Sequence, residues 1–132
     1  LGLLAYLPFD ERTDERVLDL RARIRDRYGV ATSFGYGPRY LHSTGQVHKG
    51  GPDSGAFVVL TCDHEADVKV PGVPYTFGQL ERAQALGDMA ALEGRMRRMA
   101  RLHLPSPGRP EVARALNTIA AAAEMSHAGG GA

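Results

Sequence analysis

Residues 1–35 read LGLLAYLPFDERTDERVLDLRARIRDRYGVATSFG. Residues 1–7 are apolar on both faces and end at Pro8, which predicts a buried strand of the parallel type. Over residues 10–28, Val17, Leu20, Ile24 and Tyr28 recur at helical spacing, with arginines and acids between them. Thr13 or Asp14 can cap the start, and Gly29 stands where a C-cap glycine belongs. Residues 30–35, VATSFG, then predict a second short strand. A strand, an amphipathic helix and a strand in succession form the unit from which parallel sheets are built.

The rest of the chain continues the alternation. Residues 55–63, GAFVVLTCD, form the clearest strand, centred on Phe57-Val58-Val59-Leu60. Residues 64–75 are a polar, proline-bearing connection. Thr76-Phe77-Gly78-Gln79 matches a capping box and opens a helix that runs through Leu80 and Ala83 to Leu86. Gly87 is expected to stop it, and Asp88 to cap a second short helix carrying Leu92. Residues 99–104 predict a fourth strand and residues 105–108, PSPG, a turn. Pro110 suits the first turn of a last helix, whose apolar face is Val112, Leu116, Ile119 and Ala123. The expected architecture is α/β: a three-layer domain over residues 1–128, with a mostly parallel sheet of about four strands flanked by helices. The tail, residues 129–132, is expected to be disordered.

Composition narrows the function classes. The chain has 132 residues, enough for one domain, and 43% of them are hydrophobic. Sixteen Lys+Arg against fifteen Asp+Glu leave a net charge of +1, which removes the electrostatic case for nucleic acid or an anionic membrane. The local run Arg95-Met96-Arg97-Arg98-Met99-Ala100-Arg101 reads as a helix edge running into a strand. Cys62 is the single cysteine, too few for a disulfide framework or a multi-cysteine zinc site, and it fits a small residue near a buried strand end in a reducing cytoplasm. No apolar run reaches the 18 residues of a membrane span, and the start lacks the pattern of a secretion signal. Because Leu1 already lies inside a strand, the chain is expected to be a piece of something longer. An apolar strand left without a neighbour would favour association, and a homo-oligomer is one expectation.

Residues 35–55, GYGPRYLHSTGQVHKGGPDSG, fit no ordinary helix or strand. They leave the carboxyl end of the second strand, where open α/β sheets bind ligands. Gly35-Tyr36-Gly37-Pro38 can turn the chain off the sheet, and Gly45, Gly50 and Gly51 allow main-chain N–H groups to approach an anion. Arg39 and Lys49 supply charge, Ser43 and Thr44 hydroxyls, Gln46 an amide, and His42 and His48 exchangeable protons. If residues 42–49 are helical, His42, Gln46 and Lys49 share a face. Lys49 could then stabilise an oxyanion or phosphate. Structural roles are open as well: His42 a buried histidine bonded to a carbonyl, His48 an orienting residue, Arg39 an ion pair. His42, His48 and Asp53 match no zinc spacing, so neither metal nor cofactor is expected. His64, His103 and His127 lie outside the segment.

The run GYGPRYLHSTGQVHKGGP, residues 35–52, resembles the C-terminal part of glucose-6-phosphate isomerases, most closely the bacterial form fused behind a transaldolase. Leu3-Leu4-Ala5-Tyr6-Leu7, Tyr75-Thr76-Phe77-Gly78-Gln79-Leu80, Ala83-Gln84-Ala85-Leu86-Gly87-Asp88 and Arg101-Leu102-His103-Leu104 agree in order, so the resemblance spans the chain to about Leu104. It implies a sugar-isomerase, flavodoxin-like domain and the interconversion of glucose 6-phosphate and fructose 6-phosphate through an enediol. In the family a glutamate moves the proton, a histidine helps open the ring, and a C-terminal lysine lies at the active site. Lys49 is the counterpart of that lysine. Common family members end a Gln-x-Gly-Val-x-x-x-Lys pattern with it; here His42 holds the glutamine's offset and Gln46 lies nearer. The glutamate, the ring-opening histidine and the phosphate loop belong to earlier parts of the family's chain. The resemblance therefore implies a chain inactive alone, completed by the remainder of an isomerase or by a separately encoded half. The alternative is a stand-alone module that binds a sugar phosphate without catalysis.

Overall fold

A computed structural model describes residues 1–125. The elements are β1 (Gly2–Tyr6), α1 (Glu11–Tyr28), β2 (Ser33–Tyr36), a 3-10 turn (Arg39–His42), α2 (Gly45–Gly50), β3 (Ala56–Cys62), α3 (Phe77–Gly94), β4 (Arg98–Leu104) and α4 (Arg109–Met125). The expectation for residues 129–132, and the last part of the domain expected over residues 1–128, lie outside the described residues.

The four strands form one parallel sheet in the order β2-β1-β3-β4, with Gly2 opposite both Ser33 and Phe57, and Ala56 opposite Arg98. The chain winds outward from β1 in both directions, so the sheet has a switch point between β1 and β3. Every residue of β1 is buried, which explains its unbroken apolar run. Alternate residues feed two cores. Leu3, Ala5 and Leu7 pack with Leu60, Leu104 and the apolar stripes of α1 and α4. Leu4 and Tyr6 pack on the opposite face with Tyr40, Phe57, Val59 and the α3 residues Ala85, Met89 and Leu92. The result is three layers: α1 and α4, the sheet, and α3 with the 35–55 connection.

Three local expectations change. The cap of α1 is Asp10: its extended backbone precedes the helix, and its carboxylate accepts from the Thr13 N–H at 2.9 Å. Thr13 and Asp14 already lie inside the first turn. At the other end Gly29 takes the left-handed conformation at φ 62° and donates to Arg25 O. β2 starts at Ser33, three residues later than expected, because β1 offers a partner only from that register onward. Lastly, residues 77–94 form one helix where two were expected. Gly87 sits in its interior with open space around it, and the buried residues Ala85, Asp88, Met89 and Leu92 hold the helix through that weak point.

The start of α3 is as the sequence predicts. Thr76 Oγ1 accepts from the Gln79 N–H at 3.1 Å, and Gln79 Oε1 accepts from the Thr76 N–H at 2.9 Å. Asp67 reinforces this end, accepting from Thr76 Oγ1 and from the N–H groups of Gly78 and Val68. Thr76→Ala is expected to cost about 1 kcal/mol in urea denaturation. A loss below about 0.3 kcal/mol would show that Asp67 alone caps the helix. Among the described residues no helix is long and apolar enough to cross a membrane.

Candidate functional site

The glycine-rich segment is the crossover from β2 to β3, so it must travel from the carboxyl edge of the sheet to the amino edge. At its entry the Gly37 N–H donates to Ala5 O at 2.8 Å, beside the cis Gly37–Pro38 peptide. A Cβ on Gly37 would lie 2.5 Å from two atoms of the Tyr6 ring, so only glycine passes there. At its exit the Arg97 guanidinium donates to Lys49 O at 3.1 Å and Gly51 O at 2.5 Å, and pairs with Asp53 at 3.0 Å. Arg97 immediately precedes β4, which places the exit at the amino edge.

This path separates residues that the sequence reading gathers at one ligand. The shared helical face of His42, Gln46 and Lys49 does not form. The 3-10 turn ends at His42, Ser43 leaves helical geometry at φ −132° and ψ −87°, and α2 starts anew at Gly45. Nor are the glycines arranged as an anion cradle. Gly45 is buried, and the Gly51 N–H closes α2 on Val47 O at 2.9 Å. Arg39, Ser43 and Thr44 do come together, lining a cleft of about 420 Å³ with Phe9, Tyr36 and Tyr40 at the carboxyl edge. His42, Gln46 and Gly50 lie along the same crossover but outside that cleft.

Lys49 and His48 belong to a different cluster. The Lys49 ammonium lies 2.6 Å from Asp88 Oδ1, and the Asp88 side chain is only 2% exposed, against 24% for Lys49. The other carboxylate oxygen accepts from the Tyr40 hydroxyl, which lies 3.3 Å from the Tyr6 hydroxyl. Burial pushes the Tyr6 phenol up to about 12, and burial together with Asp88 pushes Tyr40 up further. Both remain protonated near neutrality, so Tyr40 donates and Asp88 accepts. His48 packs against the rings of Tyr40 and Phe57, with centroids 6.0 and 5.0 Å away. Its Nδ1 is buried without a partner among the described residues, and burial lowers its pKa. It acts as a neutral wedge holding α2 on the sheet. Asp88, read from sequence as a helix cap, is the residue that organises this cluster.

A second cleft, of about 310 Å³, opens at the carboxyl ends of β1, β3 and β4 beneath the first turns of α3. It is lined by Tyr6, Thr61, Cys62, Asp63, His64, Glu81, Arg101 and His103 among others. His64 and His103, which fall outside the glycine-rich segment in sequence, both face it. The overlooked signal is polar alternation at strand ends: Thr61 and Asp63 on one side, Arg101 and His103 on the other, with Thr61 opposite His103 in the ladder. The Cys62 thiol, half-buried at the end of β3 as expected, is pushed up to about 11 by burial and stays a thiol at neutral pH. Burial raises the Glu81 pKa against the opposing pull of His64, 3.7 Å away. Among the described residues no cluster of His, Cys, Asp or Glu is arranged to hold a metal ion.

No family model matches the chain, and no curated protein matches it. The solved structures that resemble it include a hypothetical protein from Thermus thermophilus, 18% identical, with a TM-score of 0.75 over 90% of this chain. The chain spans 33% of that protein's length. At that identity the likeness shows the α/β fold alone.

Proposed function

We propose that this chain is the C-terminal part of a cytoplasmic aldose–ketose isomerase that interconverts glucose 6-phosphate and fructose 6-phosphate. The supporting observation is the placement of Lys49. Its ammonium is held at 2.6 Å by a carboxylate that is itself buried and oriented by Tyr40. A partly exposed cation fixed in this way is preorganised for charge that develops on an oxygen, as in an enediolate. Proton transfer between the two sugar carbons falls to a base outside this chain, from the remainder of the enzyme or from a partner subunit. The resemblance of residues 35–52 to glucose-6-phosphate isomerases supports the substrate class.

In the intact enzyme Lys49→Ala is expected to lower turnover at least tenfold, about 1.4 kcal/mol of barrier. Steady-state kinetics with fructose 6-phosphate measure this, with circular dichroism confirming the fold. Unchanged kinetics would overturn the role of Lys49. A binding module without catalysis is the second reading, supported by Arg39, Ser43 and Thr44 meeting in one cleft. It is favoured if the intact protein binds the sugar phosphate but shows no turnover.

A further inference from the structure

The cleft at the carboxyl ends of β1, β3 and β4 brings three carboxylates and two arginines together. Its three carboxylates all have partners. Asp63 faces His103 Nε2 at 3.2 Å, Glu81 faces His64 at 3.7 Å, and Asp67 accepts from Thr76, Gly78 and Val68. Its two arginines, Arg82 and Arg101, pair with no carboxylate among the described residues.

Arg101 is nevertheless held in place. Its Nε donates to Thr61 Oγ1 at 2.9 Å, and Thr61 is only 6% exposed. The Thr61 hydroxyl, already accepting from Arg101, donates in turn to His103 Nδ1 at 2.8 Å. Arg101 Nη2 lies 3.2 Å from the same nitrogen. Arg101 can only donate, so His103 Nδ1 accepts, and Nε2 faces Asp63. A buried hydroxyl thus fixes both a guanidinium and an imidazole on the exposed edge strand, and the guanidinium keeps N–H groups without an acceptor among the described residues. Glu81 of α3 and His64 of the connection before it offer the opposite chemistry: they can accept from or donate to hydroxyls.

The geometry points to a second small-molecule site here, separate from the Lys49 cluster, for a phosphorylated polyol. The Arg101 fork takes the phosphate, and Glu81 with His64 takes the hydroxyls. Its position, outside the carboxyl ends of strands at the switch point of the sheet, is where such sheets present ligands. A planar guanidinium held on one side matches two phosphate oxygens on its free side. The site stands independently of the isomerase reading, because no residue of the Lys49 cluster other than Tyr6 lines the cleft.

The test is a titration of the 132-residue chain with glucose 6-phosphate, followed by calorimetry and by amide shifts in two-dimensional NMR. Inorganic phosphate and glucose serve as the two halves of the ligand. Saturable binding is expected, with shifts at Thr61, Arg101 and His103. Arg101→Met is expected to weaken it at least tenfold and Arg101→Lys less, while Arg23→Met, in an exposed ion pair outside both clefts, stays within about twofold. Because Arg101 is exposed, its substitution leaves the core intact, and the NMR spectrum confirms this. Binding kept in Arg101→Met would overturn the site. So would the absence of saturable binding at millimolar ligand. Neither result bears on the turnover of Lys49→Ala in the intact enzyme.

Discussion

Asp88→Ala is expected to destabilise the fold by about 3 kcal/mol. The substitution removes the only acidic partner of Lys49 among the described residues and the acceptor of the Tyr40 hydroxyl, both inside the second core. Breaking a buried pair by removing one side typically costs about 3–5 kcal/mol, because a charge is left uncompensated. The lower end applies here, since Lys49 is 24% exposed and can turn toward water. Asp88→Asn, whose amide oxygen still accepts from Tyr40, is expected to cost less. Replacing both partners, as Lys49→Met with Asp88→Leu, should recover most of the loss, because no charge then remains to be buried. Denaturant titrations of the three variants and the parent measure these values. An Asp88→Ala protein within about 0.5 kcal/mol of the parent would show that the pair is not part of the folding energetics.

Gly37→Ala is expected to be equally severe, at about 3 kcal/mol. The added methyl carbon would sit 2.5 Å from two atoms of the Tyr6 ring and 2.7 Å from a third. Tyr6 is 2% exposed, edge-packed on Tyr40 and in hydroxyl contact with it, so the ring cannot move aside without giving up those contacts. The disturbance should pass through the hydroxyl contact to Tyr40 and thence to Asp88. Gly87→Ala is the matched control: it lies within α3 with nothing inside 4 Å of the new carbon. There the better helix former should stabilise by about 0.5–1 kcal/mol. Thermal melts of the two alanine variants should move in opposite directions; a Gly37→Ala protein as stable as the parent would show that the crossover can shift away from the ring.

The layers were legible in sequence because each strand and helix buries one chemically uniform face. β1 is apolar throughout, α1 carries Val17, Leu20 and Ile24 at helical spacing, and the Thr76 box marks the start of α3. The site was legible only in part. A local pattern places Lys49, but nothing local says that Asp88, far along the chain, will close on it. A glycine followed by an aspartate reads as a helix break, but the contacts of Asp88 with Tyr40 and Lys49, together with the burial of Ala85, Met89 and Leu92, make the aspartate an interior residue. The second cleft was hidden for a related reason. Thr61 and His103 become neighbours only through the β3–β4 ladder, which no short-range spacing encodes.

β1 begins at the second residue yet occupies an inner position, with β2 on one side and β3 on the other. Trimming there is not the removal of a fraying end. Deleting residues 1–7 would split the sheet, leaving four-residue β2 without a neighbour and taking Leu3 and Leu4 from opposite cores at once. Engineered breaks in the chain therefore belong in the exposed stretch of residues 71–75, where the backbone supports no strand of the sheet.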